Sequence, residues 1–140
     1  MKIFLDANIL VSVLNKEYPL FTYTSRIISL ADKPKFTLFT SPVCLAIAFY
    51  FAEKKYNSIS ATSRIAILCK HIRIVAVTKN AVLQSLQNPA INDFEDGLEY
   101  YAACDSRCDC IITEDINEFY FSKIEVLRSE DFFEKYLFAN

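Results

Sequence analysis

The chain has 140 residues, 53% of them hydrophobic and 14% aromatic, with a net charge of -2. That length fits one domain, residues 1–140, and that apolar content fills a core where a disordered chain could not. The slightly acidic balance excludes binding nucleic acid through phosphate contacts alone, which needs a basic surface.

Lys2–Leu5 reads as a strand and Asn8–Asn15 as a helix. Pro19 breaks the chain, and Leu20–Ala31 reads as a second helix. A strand follows Pro34, at Phe36–Thr40. Ser41-Pro42 is a cap followed by a first-turn proline, opening a helix to Lys55. Ser58 to His71 is the next helix, and Ile72–Val77 is rich in β-formers. Thr78 starts a short helix to Gln87, and Asn88-Pro89 is a loop. Asp93–Ser106 is helical, Cys110–Thr113 and Ile124–Leu127 are strands, and Ser129 caps a helix carrying Phe132, Phe133, Tyr136 and Leu137. Strands separated by helices imply parallel pairing and right-handed crossovers, so the class is α/β, with helices on both faces of the sheet. Ligands of such sheets bind beyond the carboxyl ends of the strands, where the strand order reverses.

Several classes of function drop out. A single glycine, Gly97, excludes glycine-rich phosphate loops. No apolar run is long enough to span a membrane, and no cleavable leader is visible. The five cysteines, an odd number without a secretion signal, argue against a disulfide framework and for a reducing, cytoplasmic setting. Cys104, Cys108 and Cys110 lack the Cys-x-x-Cys spacing of a zinc site, and the lone histidine, His71, has no partner nucleophile.

Three acids gather at the expected edge. Asp6 follows the first strand, Asp115 follows the fourth, and Asp96 lies in the first turn of the helix feeding the fourth. Each has a local explanation. Asp6 could cap the helix near Asn8; Asp115 with Glu118, and Asp93 with Asp96, have the spacing of a capping box. Taken together, capping explains less. The other helices begin at hydroxyls (Ser41, Ser58, Thr78 and Ser129), and the carboxylates collect around strands one and four. A shared hard cation, Mg²⁺ or Mn²⁺, accounts for that segregation. Asn8 and Thr113 are placed to hold the carboxylates by hydrogen bonds. Phe119, Tyr120 and Phe121 either stack on bases or pack under the sheet.

"FLDANIL", then "DFEDGLEYYAA", then "CDCIITEDINEF" together resemble the PIN-domain family, and are most similar to its VapC-like branch in Bacteroidetes-type bacteria. The resemblance covers essentially the whole chain. It implies a three-layer sandwich around a parallel five-stranded sheet of order 3-2-1-4-5. It also implies a Mg²⁺- or Mn²⁺-dependent ribonuclease, often a toxin paired with an antitoxin and often a homodimer. By position the metal carboxylates are Asp6, Asp96 and Asp115, with Glu95, Asp93 and Glu118 as neighbours. One departure stands out. The family's glutamate on the helix after strand two falls on Ile47, or on Ala46 if the alignment slips by one. Glu53 is too far along the helix, roughly 10 Å by the helical rise, to substitute. Glu99, one turn beyond Asp96, is the better reinforcement. Three carboxylates favour one firmly held metal over two. The competing reading is a degenerate PIN domain that binds RNA or protein without cutting. A receiver domain would need a lysine after a late strand, and a haloacid-dehalogenase-type phosphatase an aspartate where Asn8 stands.

Overall fold

The computed structural model describes residues 1–138. Five strands form one parallel sheet: β1 (Lys2–Leu5), β2 (Thr37–Thr40), β3 (Arg73–Ile74), β4 (Cys110–Ile112) and β5 (Glu125–Leu127). Their order is β3-β2-β1-β4-β5, as expected, and every pair is parallel. Seven helices flank the sheet: α1 (Ala7–Asn15), α2 (Phe21–Ser29), α3 (Pro42–Lys55), α4 (Ser58–Leu68), α5 (Lys79–Gln87), α6 (Phe94–Asp105) and α7 (Ser129–Phe132). Among the described residues, no helix is long and apolar enough to cross a membrane.

Burial on both faces of the sheet explains the unbroken apolar strands. Ile3, Phe4 and Leu5 of β1, and Ile111 and Ile112 of β4, have no exposed surface. Ile3 pairs with Leu38 on one side and Cys110 on the other, so β1 is the centre of the sheet. The chain winds from β1 to β3 in one direction and from β4 to β5 in the other. The reversal falls between β1 and β4.

Helix ends differ from expectation where two cap-forming residues are adjacent. Asn57, not Ser58, caps α4, accepting the N–H of Ser60 at 2.8 Å. Ser129 is the first residue of α7 instead of its cap, and Arg128 at the cap position makes no side-chain cap bond. Beyond α7 the chain continues as π-helix, Phe133–Phe138. Helix α4 stops at Leu68, leaving His71 in the following turn. The β-rich stretch Ile72–Val77 contributes only two paired residues, because β3 is an exposed edge strand. Ser41 and Thr78 do cap α3 and α5.

Gly97 answers a packing demand. A Cβ there would lie 2.8 Å from Ser85 Oγ and 2.9 Å from Ser85 Cβ, so α6 rests directly on α5. The tight neighbour is a side chain, not the backbone of α5.

Candidate active site

Asp6 leaves the end of β1 at the point of reversal. Its backbone N–H extends the ladder to Ile112 O at 3.1 Å, and its side chain is buried at 6% exposure. Oδ1 accepts the N–H of Ala7 at 2.6 Å, so the capping expectation is met by one oxygen. The other, Oδ2, accepts the Thr113 hydroxyl at 2.7 Å and the Asn8 amide at 3.3 Å. Thr113 is fully buried at the end of β4, and its Oγ1 accepts the Asp115 N–H at 3.1 Å.

Asn8 ties the acids together. The backbone N–H of Glu114 reaches its side chain at 3.1 Å, and an N–H can only donate, so that atom is Oδ1. Nδ2 is thereby turned to Asp6 Oδ2, Thr113 Oγ1 and Asp115 Oδ2, at 3.3, 3.1 and 3.3 Å. Asp115 precedes a 3-10 turn, Ile116–Phe119, but its carboxylate makes no cap bond; only its carbonyl holds Glu118 N–H, at 3.0 Å. That side chain is left exposed and available. On α6 the capping is done by Asp93, which accepts the N–H of Glu95 at 2.9 Å. Asp96 is therefore spared.

These groups open on one cleft of about 640 Å³, lined by Asp6, Asp96 and Asp115 together with Asn8. Glu17, Asp93, Glu95, Glu114 and Glu118 also line it. Among the described residues, no lysine, arginine or histidine does. The crowding has an electrostatic signature. Burial, then the charges of Asp93, Asp6, Glu118 and Glu95, push the Asp96 carboxyl up to about 7. Burial, with Asp93 and Asp6, also raises Glu95. Groups pushed this way mark a place short of positive charge.

The other wall is apolar: Val11, Leu20, Ile47 and Phe51. Ile47 faces the cleft whereas Ala46 is exposed outside it, so Ile47 is the position the glutamate would take. Glu53 is exposed and away from the cleft. Of the aromatic trio, Phe119 is buried and Phe121 packs on Tyr100 and Phe119. Tyr120 is exposed, with its hydroxyl donating to Ala90 O. Packing is the reading that holds for Phe119 and Phe121.

The chain matches the family model described as "PIN domain" over residues 2–117. It belongs to the PIN-domain family. A relative from Aquifex aeolicus, named Ribonuclease VapC1, is 27% identical over 139 residues, covering 96% of this chain and 95% of the relative. Among solved structures, Mycobacterium tuberculosis VapC20, described as a toxin cleaving the sarcin-ricin loop, superposes with a TM-score of 0.66 at 18% identity, over 88% of this chain and 98% of the other. The VapBC2 complex of Rickettsia felis, bound to a promoter DNA fragment, gives 0.68 at 21% identity, over 91% and 98%. These structural likenesses are to the fold.

Two side chains of this PIN domain were not singled out by sequence pattern. Glu114 Oε1 accepts the N–H of Ser129 at 3.2 Å and also its hydroxyl, anchoring the loop that carries Asp115. Cys44 lies fully buried at the third position of α3, one turn before Ile47. Among the described residues, the set of three metal-type donors whose ligand atoms all lie within 4.8 Å of one another is Asp6, Cys44 and Glu99, not Asp6, Asp96 and Asp115. Glu99 is 1% exposed and its Oε2 has no hydrogen-bond partner. Burial, then the charges of Cys44, Asp6 and Asp96, holds its carboxyl well above the usual range. Burial likewise pushes the Cys44 thiol up to about 11, with Asp6 adding to it.

Proposed function

We propose that this chain is an endoribonuclease that hydrolyses RNA phosphodiester bonds, with Mg²⁺ or Mn²⁺ held by Asp6, Asp96 and Asp115. The observation carrying this reading is the cleft itself. Its polar wall is carboxylate, its cationic side chains are absent among the described residues, and it sits at the sheet's point of reversal. Without a cation, such a surface repels a phosphodiester. Two like charges 4 Å apart cost about 4 kcal/mol at an effective dielectric of 20. The donor set is oxygen only, which fits a hard divalent ion that keeps some of its waters. That retained shell suits three carboxylates that converge on one cleft without closing to mutual contact. When bound, the ion supplies charge neutralisation and Lewis acidity for phosphodiester hydrolysis.

The protein's own part is positioning. Thr113 and Asn8 fix the oxygens of Asp6 and turn Asp115 toward the same space. Glu95 and Glu118 at the rim share in attracting the ion, and Glu99 reinforces it from behind. The VapBC-type structural neighbours support an antitoxin partner, and the family resemblance implies a homodimer acting in the cytoplasm. The 140 residues act as one domain in this reading.

A second reading, a PIN domain that binds RNA or protein without cutting, is favoured by one observation: Ile47 puts an apolar side chain where the family carries a carboxylate. One experiment separates them. Wild type and Asp6→Ala are incubated with a labelled structured RNA under Mn²⁺, Mg²⁺ or EDTA. The nuclease predicts cleavage that needs metal and vanishes in the variant. Binding without cleavage, unchanged by EDTA, supports the second reading.

A further inference from the structure

A buried cluster of donors lies behind the cleft and shares only Asp6 with the outer carboxylates. Asp6 reaches it from the end of β1, Cys44 from the first turn of α3 and Glu99 from the second turn of α6. Their exposures are 6, 0 and 1%. Neither Cys44 nor Glu99 lines the open cleft. Glu99 Oε2 is the observation that demands an account. A buried carboxylate oxygen without a donor is costly, and native structures rarely leave one unpaired without a functional reason. The groups around Glu99 are Cys44, Asp6 and Asp96, all of them acids; a protonated Glu99 can share its proton with Asp6, but once ionised it has no positively charged neighbour.

We infer that Asp6, Cys44 and Glu99 form an inner site for a single divalent transition-metal ion such as Zn²⁺ or Co²⁺, distinct from the hard-ion position at the cleft and sharing Asp6 with it. The inference deepens the proposed nuclease, and rests on it only in treating Asp6 as a ligand to both ions. Three donors from three elements already lie within 4.8 Å of one another. Two carboxylates and a thiolate suit a borderline metal and disfavour Mg²⁺, which avoids sulfur. Cys44 is the third residue of a 14-residue helix capped by Ser41, and the dipole of that helix partly offsets the burial and the Asp6 charge that keep its thiol protonated without a metal. Ser41 Oγ donates to Cys44 Sγ at 3.4 Å, a hydrogen bond that a thiolate strengthens. On binding, the thiol proton leaves to solvent and the sulfur's electron pair goes to the metal; nothing is oxidised. The position of the lost α3 glutamate gains meaning from this. One turn before Ile47, the same helix offers a different ligand to a deeper ion.

Cobalt(II) tests the assignment. A cysteine thiolate on Co²⁺ gives a strong near-ultraviolet charge-transfer band, which all-oxygen coordination lacks. The purified full chain is titrated with Co²⁺ as wild type, Cys44→Ser, Glu99→Gln and Asp115→Asn. The expected result is a one-equivalent band in wild type, kept in Asp115→Asn, lost in Cys44→Ser and weakened at least tenfold in apparent affinity in Glu99→Gln. Circular dichroism on each variant shows whether it is folded. Zn²⁺ should also raise the Tm of wild type but not of folded Cys44→Ser. A band that persists in Cys44→Ser belongs to other cysteines and overturns the inference, as does Co²⁺ bound with no such band. The same preparations are assayed for RNA cleavage with Mg²⁺. Cleavage abolished by Asp115→Asn, together with an absent band, would sink the inner site and leave the nuclease standing. A band without any cleavage would do the reverse.

Discussion

The two walls of the acidic cleft are built differently. On the β1/β4 wall, each oxygen of Asp6 has a donor, and Asn8 links Asp6, Thr113, Glu114 and Asp115. On the α6 wall, Asp96, with Glu99 buried behind it, faces other acids, and both are pushed toward their neutral forms. The first wall is a frame that holds its shape alone. The second stores repulsion, and a cation relieves it. A site assembled this way is rigid in geometry before metal arrives yet gains electrostatic stability only afterwards.

The largest expected effect comes from the residue common to both walls. Asp6→Asn should reduce metal-dependent RNA cleavage to background and lower the Tm, since one amide oxygen cannot accept from both the Ala7 N–H and the Thr113–Asn8 pair; gel assays with Mn²⁺ and a melting curve check both halves. Retained cleavage would mean the frame is not built around the ion. Next, Asn8→Ala removes the donor from Asp6 and Asp115 together. Metal affinity measured by titration calorimetry should fall about 10–100-fold, as for other groups that orient ligands. The α6 wall is read by pH. Because the Asp96 carboxyl sits at about 7 in the fold against 3.8 for the free group, the folded chain holds that proton while the unfolded chain has lost it. Stability of the metal-free protein should therefore fall as pH rises from near 4 to near 7, and then level off. Glu95 and Glu99 shift the same way and add to the slope. Mn²⁺ affinity should rise with pH over the same window, by up to about tenfold per unit for one displaced proton, and flatten above 7. Asp96→Asn should shallow both trends. The smallest effect tests the seating of α6. Gly97→Ala gains about 1 kcal/mol of helix propensity but drives a methyl into Ser85, an overpacking cost of about 1–3 kcal/mol. A Tm lowered by a few degrees is expected, with recovery in the Gly97→Ala, Ser85→Gly double variant.

The α/β class and the acids at the strand ends were legible because they rest on local patterns, apolar runs ending in carboxylates and helices between them, whereas the strand order was implied by the family resemblance. The ends of elements were less so. Asn57 and Ser58 are adjacent and both competent to cap, and only the backbone geometry chooses between them. Ile72–Val77 has strand composition along its length, yet an edge position leaves it a partner only at Phe39 and Thr40. Cys44 left no local sign at all. Its meaning depends on meeting residues 38 positions before and 55 after, and no spacing rule connects positions 6, 44 and 99. The departure at Ile47 was visible, but only the turn of α3 shows that this side chain enters the cleft while Ala46 does not.

The hydrogen bonds that Ser129 donates to Glu114 have a bearing on how far the functional unit extends. The Aquifex aeolicus relative aligns over 139 residues, but the family model's match ends at residue 117, two positions past Asp115. Yet the residue beside that acid is latched from further on, and the latch is seated by Phe132, which has no exposed surface. A fragment trimmed where the family model ends would keep Asp6, Asp96 and Asp115 and lose the clasp that aims the last of them. The tail is thus part of the tool, and shortening it should blunt cleavage with those three acids still in place.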